Sequence, residues 1–131
     1  MLKEKKIILF LLCALLVILG SVTALASEQR TIYQTVKYTS SSASITTPTF
    51  VLNSDRLSYS FSRTSTPNDR TTTLTLQKYT NAKWVDIESY TIVGPRGRSS
   101  SFDNLDSSAT YRAILTTTDS RLDSTYLLLY E

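Results

Sequence analysis

From Leu57 to Ser62 the chain alternates without a break, with Leu57, Tyr59 and Phe61 on one parity and Ser58, Ser60 and Ser62 on the other. Successive side chains of a strand point to opposite faces, so this pattern describes a strand with one face in a core and the other in water. Ser and Thr supply about a third of the chain beyond its first 26 residues, well above ordinary usage. The alternation says what so many hydroxyls do: they cover the wet faces of strands rather than a disordered stalk.

Comparable segments recur. Leu74 and Leu76 alternate with Thr73, Thr75 and Gln77. Trp84 to Ile92 predicts a longer strand, with Val85 and Ile87 on one face and Trp84, Tyr90 and Ile92 on the other. Tyr111 to Thr116 is apolar on both parities, as a central strand would be, and Tyr126 to Tyr130 closes the series. Ile32 to Tyr38 predicts a first strand. Ala43 to Leu52 predicts a weaker one, which Pro48 confines to an edge or a bulge because proline cannot donate to a ladder. Turn residues fall between, at Asn53-Ser54-Asp55, Thr66-Pro67-Asn68-Asp69, Asn81-Ala82, Gly94-Pro95-Arg96-Gly97, Asp103-Asn104 and Asp119-Ser120. No long amphipathic helix pattern is present. The expectation is an all-β, antiparallel sandwich of seven or eight strands with Greek-key topology.

The N-terminus reads as an export signal. Lys3, Lys5 and Lys6 precede an apolar run from Ile7 to Leu19, and Ala24-Leu25-Ala26 offers the small residues a signal peptidase needs. Cleavage is expected after Ala26, giving a signal over 1–26, a domain over 27–131 and a secreted product. The alternative, a retained membrane anchor, must count Gly20, Ser21 and Thr23 to reach the roughly 20 residues a span requires. The first 26 residues hold three Lys and one Glu, so 14 basic and 11 acidic residues become 11 and 10. A domain with so little net charge has no electrostatic case for nucleic acid, and the membrane enters only during export. The single Cys leaves with the signal. A thiol-free exported domain fits a Gram-positive bacterium better than an animal secretory pathway.

One segment carries a likeness. Leu105-Asp106-Ser107-Ser108-Ala109-Thr110-Tyr111 resembles the tyrosine corner of fibronectin type III and immunoglobulin-like Greek-key sandwiches. The resemblance implies that Leu105 packs under the corner and that the Tyr111 hydroxyl bonds back to the upstream backbone. It spans seven to nine residues; Trp84 is not where those families keep their core Trp, and no Cys pair exists. In style the chain is similar to small exported β-proteins of Firmicutes.

The missing residue types narrow the chemistry. The chain has no His, and with Cys13 confined to the signal the usual nucleophilic triads and dyads and the His/Cys zinc sites are excluded. Only Gly94 and Gly97 remain beyond the signal, too few for a phosphate loop. Asp86 and Glu88, predicted to share a strand face, could form a hydrolytic carboxylate pair, but a solvated polar stripe is the expectation. Asp103, Asn104 and Asp106, and Asp119 with Asp123, are oxygen clusters that calcium could use, although turn chemistry accounts for them.

Candidate binding residues are Trp84, Tyr79 and Tyr90, which could gather as a sugar platform, and Arg96 with Arg98, which could grip an anion. The plainer expectations are core packing for Trp84 and a soluble connection for the Arg-bearing loop. The expectation is therefore a non-enzymatic binding or structural domain without cofactor, meeting a protein or glycan at the cell surface. A carbohydrate-binding accessory module is the alternative.

Overall fold

The computed structural model describes residues 28–35, 38–39, 42–119 and 122–131. The expected signal and its cleavage point lie outside them. The described residues form nine strands and no helix: β1 (Thr31–Gln34), β2 (Tyr38–Thr39), β3 (Ser44–Thr46), β4 (Leu57–Arg63), β5 (Thr71–Thr80), β6 (Lys83–Val93), β7 (Gly97–Phe102), β8 (Tyr111–Thr117) and β9 (Asp123–Tyr130). The alternation read from residues 57–62 is realised as written, with Leu57, Tyr59 and Phe61 wholly buried and the serines between them only partly so.

Two antiparallel sheets share the strands. One runs β1-β9-β4-β7, with β2 continuing along the same edge of β9 as β1; the other runs β3-β8-β5-β6. Counting β1 and β2 as one interrupted edge, eight strands stand in the order of a jelly roll, a double Greek key. This departs from the fibronectin type III and immunoglobulin pattern, in which the last two strands share a sheet. Here β8 and β9 lie in opposite sheets. Ser44–Thr46 sits at an edge, as Pro48 requires, and β8 lies between two neighbours, as its two apolar parities imply.

The core lies between the inner faces. Leu57, Tyr59, Phe61, Leu127 and Leu129 of the first sheet meet Leu74, Leu76, Ala113 and Leu115 of the second, all wholly buried. Each of the leucines and rings among them contributes about 1.5–3 kcal/mol by leaving water. Toward one end the inner face turns polar. Arg63, the last residue of β4, is 1 % exposed and reaches across the sandwich. It donates to the hydroxyls of Thr72 (3.4 Å) and Thr117 (3.0 Å) and faces the Asp119 carboxylate at 3.7 Å.

The corner segment behaves as its resemblance implies, within a different strand order. The Tyr111 hydroxyl accepts from the Asp106 N–H (2.8 Å) and donates to the Asp106 carbonyl (3.1 Å), while Leu105 packs against the core.

Sequence periodicity fails in two places. Gly97–Phe102 is the edge strand β7, paired with β4 along its length, where the sequence predicts a loop over Gly94–Arg98 and no strand after it. Its only large apolar residue is Phe102, so no alternation announces it. In β6 a bulge at Ile87 sets Leu76 opposite Glu88 but Gln77 opposite Asp86. One extra residue reverses every side chain beyond it. Trp84 and Asp86 therefore occupy the outer face of the sheet, opposite to Glu88, Tyr90 and Ile92.

The β5–β6 hairpin closes through Asn81 and Ala82, with φ of 51° and 60° between the paired Thr80 and Lys83. A two-residue turn with both central residues left-handed suits Asn, but Ala bears the Cβ penalty. Replacing Ala82 by Gly should stabilise the domain by about 0.5–1 kcal/mol and raise its Tm by roughly 3 °C or more. Differential scanning calorimetry reads this, and an unchanged or lowered Tm would refute strain at the turn.

Candidate functional site

The outer face of the β3-β8-β5-β6 sheet is where the hydroxyl excess and the exposed rings meet. Along β5, Thr73, Thr75, Gln77 and Tyr79 point outward, opposite Thr91, Ser89, Asp86 and Trp84 of β6. The rows close side chain to side chain: Thr73 to Thr91 and Thr75 to Ser89, each at 2.8 Å. At the hairpin end the row becomes longer and charged. Arg112 of β8 donates from Nε to Gln77 Oε1 (2.8 Å), and Gln77 Nε2 donates to Asp86 Oδ1 (2.7 Å). Gln77 thus fixes a cation and an anion on either side of itself.

Tyr79 and Trp84 form the next row. Their ring centroids are 5.1 Å apart with planes 56° from parallel, an edge-tilted aromatic pair. Trp84 is half-buried, and Tyr79 is 47 % exposed. The Arg112 guanidinium carbon sits 4.3 Å from the Trp84 ring centroid, a cation–π contact. Trp84 therefore lies outside the core that the sequence suggested for it, because the bulge carries it to the other face.

Tyr90 does not join that pair. It lies on the inner side of β6, where β6 and β7 face each other as edges, with its ring 5.1 Å from Tyr59 and 5.4 Å from Phe102. Its hydroxyl donates to Glu88 Oε1. The Arg98 guanidinium stacks on the Tyr90 ring at 4.4 Å, and Arg98 Nε donates to the Tyr59 hydroxyl at 3.2 Å. Asp86 and Glu88, expected on one face, are separated by the bulge and serve Gln77 and Tyr90 respectively.

Tyr90 is pushed up to about 12 from the ordinary 10, first by its hydrogen bond to Glu88, then by burial and the Glu88 charge. A raised pKa means that the fold favours the neutral phenol, so its stabilisation is full below pH 10 and fades as pH climbs toward 12. Urea denaturation of the parent should show stability falling across pH 10–12 more steeply than in Tyr90→Phe. Equal slopes would refute the Glu88 contact.

Arg96 takes another place, in a shallow concavity of about 440 Å³ with Asn68, Val93, Gly94 and Pro95. Arg96 and Arg98 therefore do not act as one grip: Arg96 lines that concavity, while Arg98 stacks on Tyr90. The acidic turn residues have local partners. Asp103 pairs with Arg56 at 2.6 Å, and Asp119 accepts from Thr66 as well as facing Arg63. Ser108 holds the Asp106 carboxyl below its ordinary range through side-chain and backbone hydrogen bonds, with Lys78 adding to the effect. Among the described residues no three His, Cys, Asp or Glu side chains gather as a metal site.

Gln77, Arg112 and the Thr–Ser rows complete the outer face, and sequence reasoning did not single them out as a site. The signal was partly there, since Gln77 shares a parity with Thr73 and Thr75. Its alignment with Arg112, by contrast, depends on register across 35 residues of chain. No protein-family model, curated protein or solved structure matches this chain.

Proposed function

We propose that this chain is an exported, non-catalytic binding domain that meets its ligand on the outer face of the β3-β8-β5-β6 sheet, around Tyr79 and Trp84. The observation that carries the reading is the pairing of two outward rings with the Arg112–Gln77–Asp86 row. Large rings left outside the core while three polar side chains are immobilised beside them make a surface suited to recognition. Export rests on the basic start, apolar run and Ala24-Leu25-Ala26 of the N-terminus. The non-catalytic reading draws support from Asp86 and Glu88, which face opposite sides of β6 and form no joint acid–base centre.

The test is retention on the cells that make the protein. The full chain and its Tyr79→Ala and Trp84→Ala variants are added to washed cells, and the bound fraction is measured against concentration. Both variants should keep the parent's near-ultraviolet circular dichroism from core tyrosines and lose most of their retention. Retention equal to the parent in both would overturn the reading.

A further inference from the structure

The chemistry of this surface goes further than the fact of binding. Resting on the reading above, we infer that the ligand is an uncharged, soluble glycan, one sugar ring of which seats in the angle between Tyr79 and Trp84.

Charge comes first. The outer positions of β5, β6 and β8 carry one cation, Arg112, and one anion, Asp86, joined through Gln77. The face is neutral and offers no unbalanced field to attract an acidic or basic partner. What it does offer is donors and acceptors in alternation. The guanidinium of Arg112 spends its Nε on Gln77 and retains its terminal N–H groups, and Asp86 retains Oδ2 beside the Oδ1 that Gln77 occupies. Sugar hydroxyls both donate and accept, so they can bridge such a pair.

Apolar content comes second. A stable protein interface buries about 800 Å² per partner around an apolar centre. Apart from the two rings, the middle of this face consists of Thr73, Thr75, Ser89 and Thr91, with their hydroxyls already paired across the strands, and of Ile114, a single half-buried aliphatic side chain opposite Thr75. Two adjacent rings suit one ligand unit with an apolar C–H face and a polar rim, and a pyranose has both.

Ring geometry then selects the physical form. Planes 56° apart cannot lie together on a flat surface. A crystalline polymer needs coplanar rings, whereas a single soluble chain or branch end can enter an open angle. Arg112 over Trp84 holds that angle from the β8 side.

Trp84 is the chain's single Trp, so its emission reports on this site alone. The full chain is titrated with soluble neutral polysaccharides (mannan, xylan, mixed-linkage glucan) and, in parallel, with polyanionic heparin and polygalacturonate. At least one neutral polysaccharide should shift the emission saturably, with neither polyanion doing so. Tyr79→Ala, which keeps the fluorophore, should weaken the response about tenfold or more, as should Gln77→Ala. Trp84→Ala is followed by affinity electrophoresis in gels containing the same polysaccharide, where it should migrate unretarded.

A shift with the polyanions alone overturns the glycan class named here. If no polysaccharide moves the emission while Tyr79→Ala and Trp84→Ala still abolish retention on cells, the glycan inference falls and the binding surface stands. If the variants are also retained on cells, both fall.

Discussion

Replacing Arg63 by Ala should destabilise the domain by about 3–5 kcal/mol, the cost of breaking a buried ion pair from one side. The side chain is shut away from water, linking β4 of one sheet to Thr72, Thr117 and Asp119 of the other. Truncation leaves a polar void between the sheets and takes the guanidinium away from the Asp119 carboxylate. Against a total of about 5–15 kcal/mol, that loss removes a large part of the stability and lowers Tm by roughly 15 °C or more. A second variant separates charge from volume. Arg63→Met with Asp119→Asn fills most of the space and removes both charges, so it should recover at least half of the loss. Chemical denaturation of the two variants reads the difference, and a single Ala variant within about 1 kcal/mol of the parent would refute the clamp.

The second large effect is at Tyr59. Its ring lies 4.9 Å from Phe102, 5.1 Å from Tyr90 and 5.9 Å from Phe61, at the centre of the aromatic cluster that ties β4 and β7 to β6. Tyr59→Ala should cost about 3–5 kcal/mol, because the rings around the cavity can relax only in part. Tyr59→Phe keeps the packing and loses the hydroxyl that accepts from Arg98, so about 1 kcal/mol is expected. The ratio is the informative quantity. If Phe were as damaging as Ala, the hydroxyl contact rather than the ring packing would hold that side of the sandwich. With no ligand added, Trp84, on the far face of β6, should keep the parent's emission in both Tyr59 variants until the domain unfolds.

The inward-facing residues were legible wherever a strand is covered on its inner side. Leu57, Tyr59 and Phe61 must be buried together, and nothing but a strand points them the same way with serines opposite. Legibility failed where that cover ends. In β7 the positions opposite Tyr59 and Phe61 are Ser100 and Arg98, since the side where β6 and β7 face each other is open enough to admit them. With no sealed core to satisfy, the strand shows no alternation. The site suffered from a different cause. Tyr79 and Trp84 could be named because rings are conspicuous in sequence, but Tyr90 was grouped with them and Gln77 and Arg112 were not. A single unpaired residue at Ile87 accounts for the first error, and cross-strand register for the second.

The amino-acid sequence alone determined that this chain builds antiparallel β structure, which residues its most regular strands turn inward, and that the described residues hold neither His nor Cys. Only the tertiary structure decided that β8 and β9 part into opposite sheets, that β6 reverses its faces midway, and that an Arg112–Gln77–Asp86 row stands beside two outward rings. The division has a physical origin. Alternation is a property of neighbouring residues along the covalent chain, whereas strand order and register are settled jointly by segments far apart in sequence as both sheets close over one core.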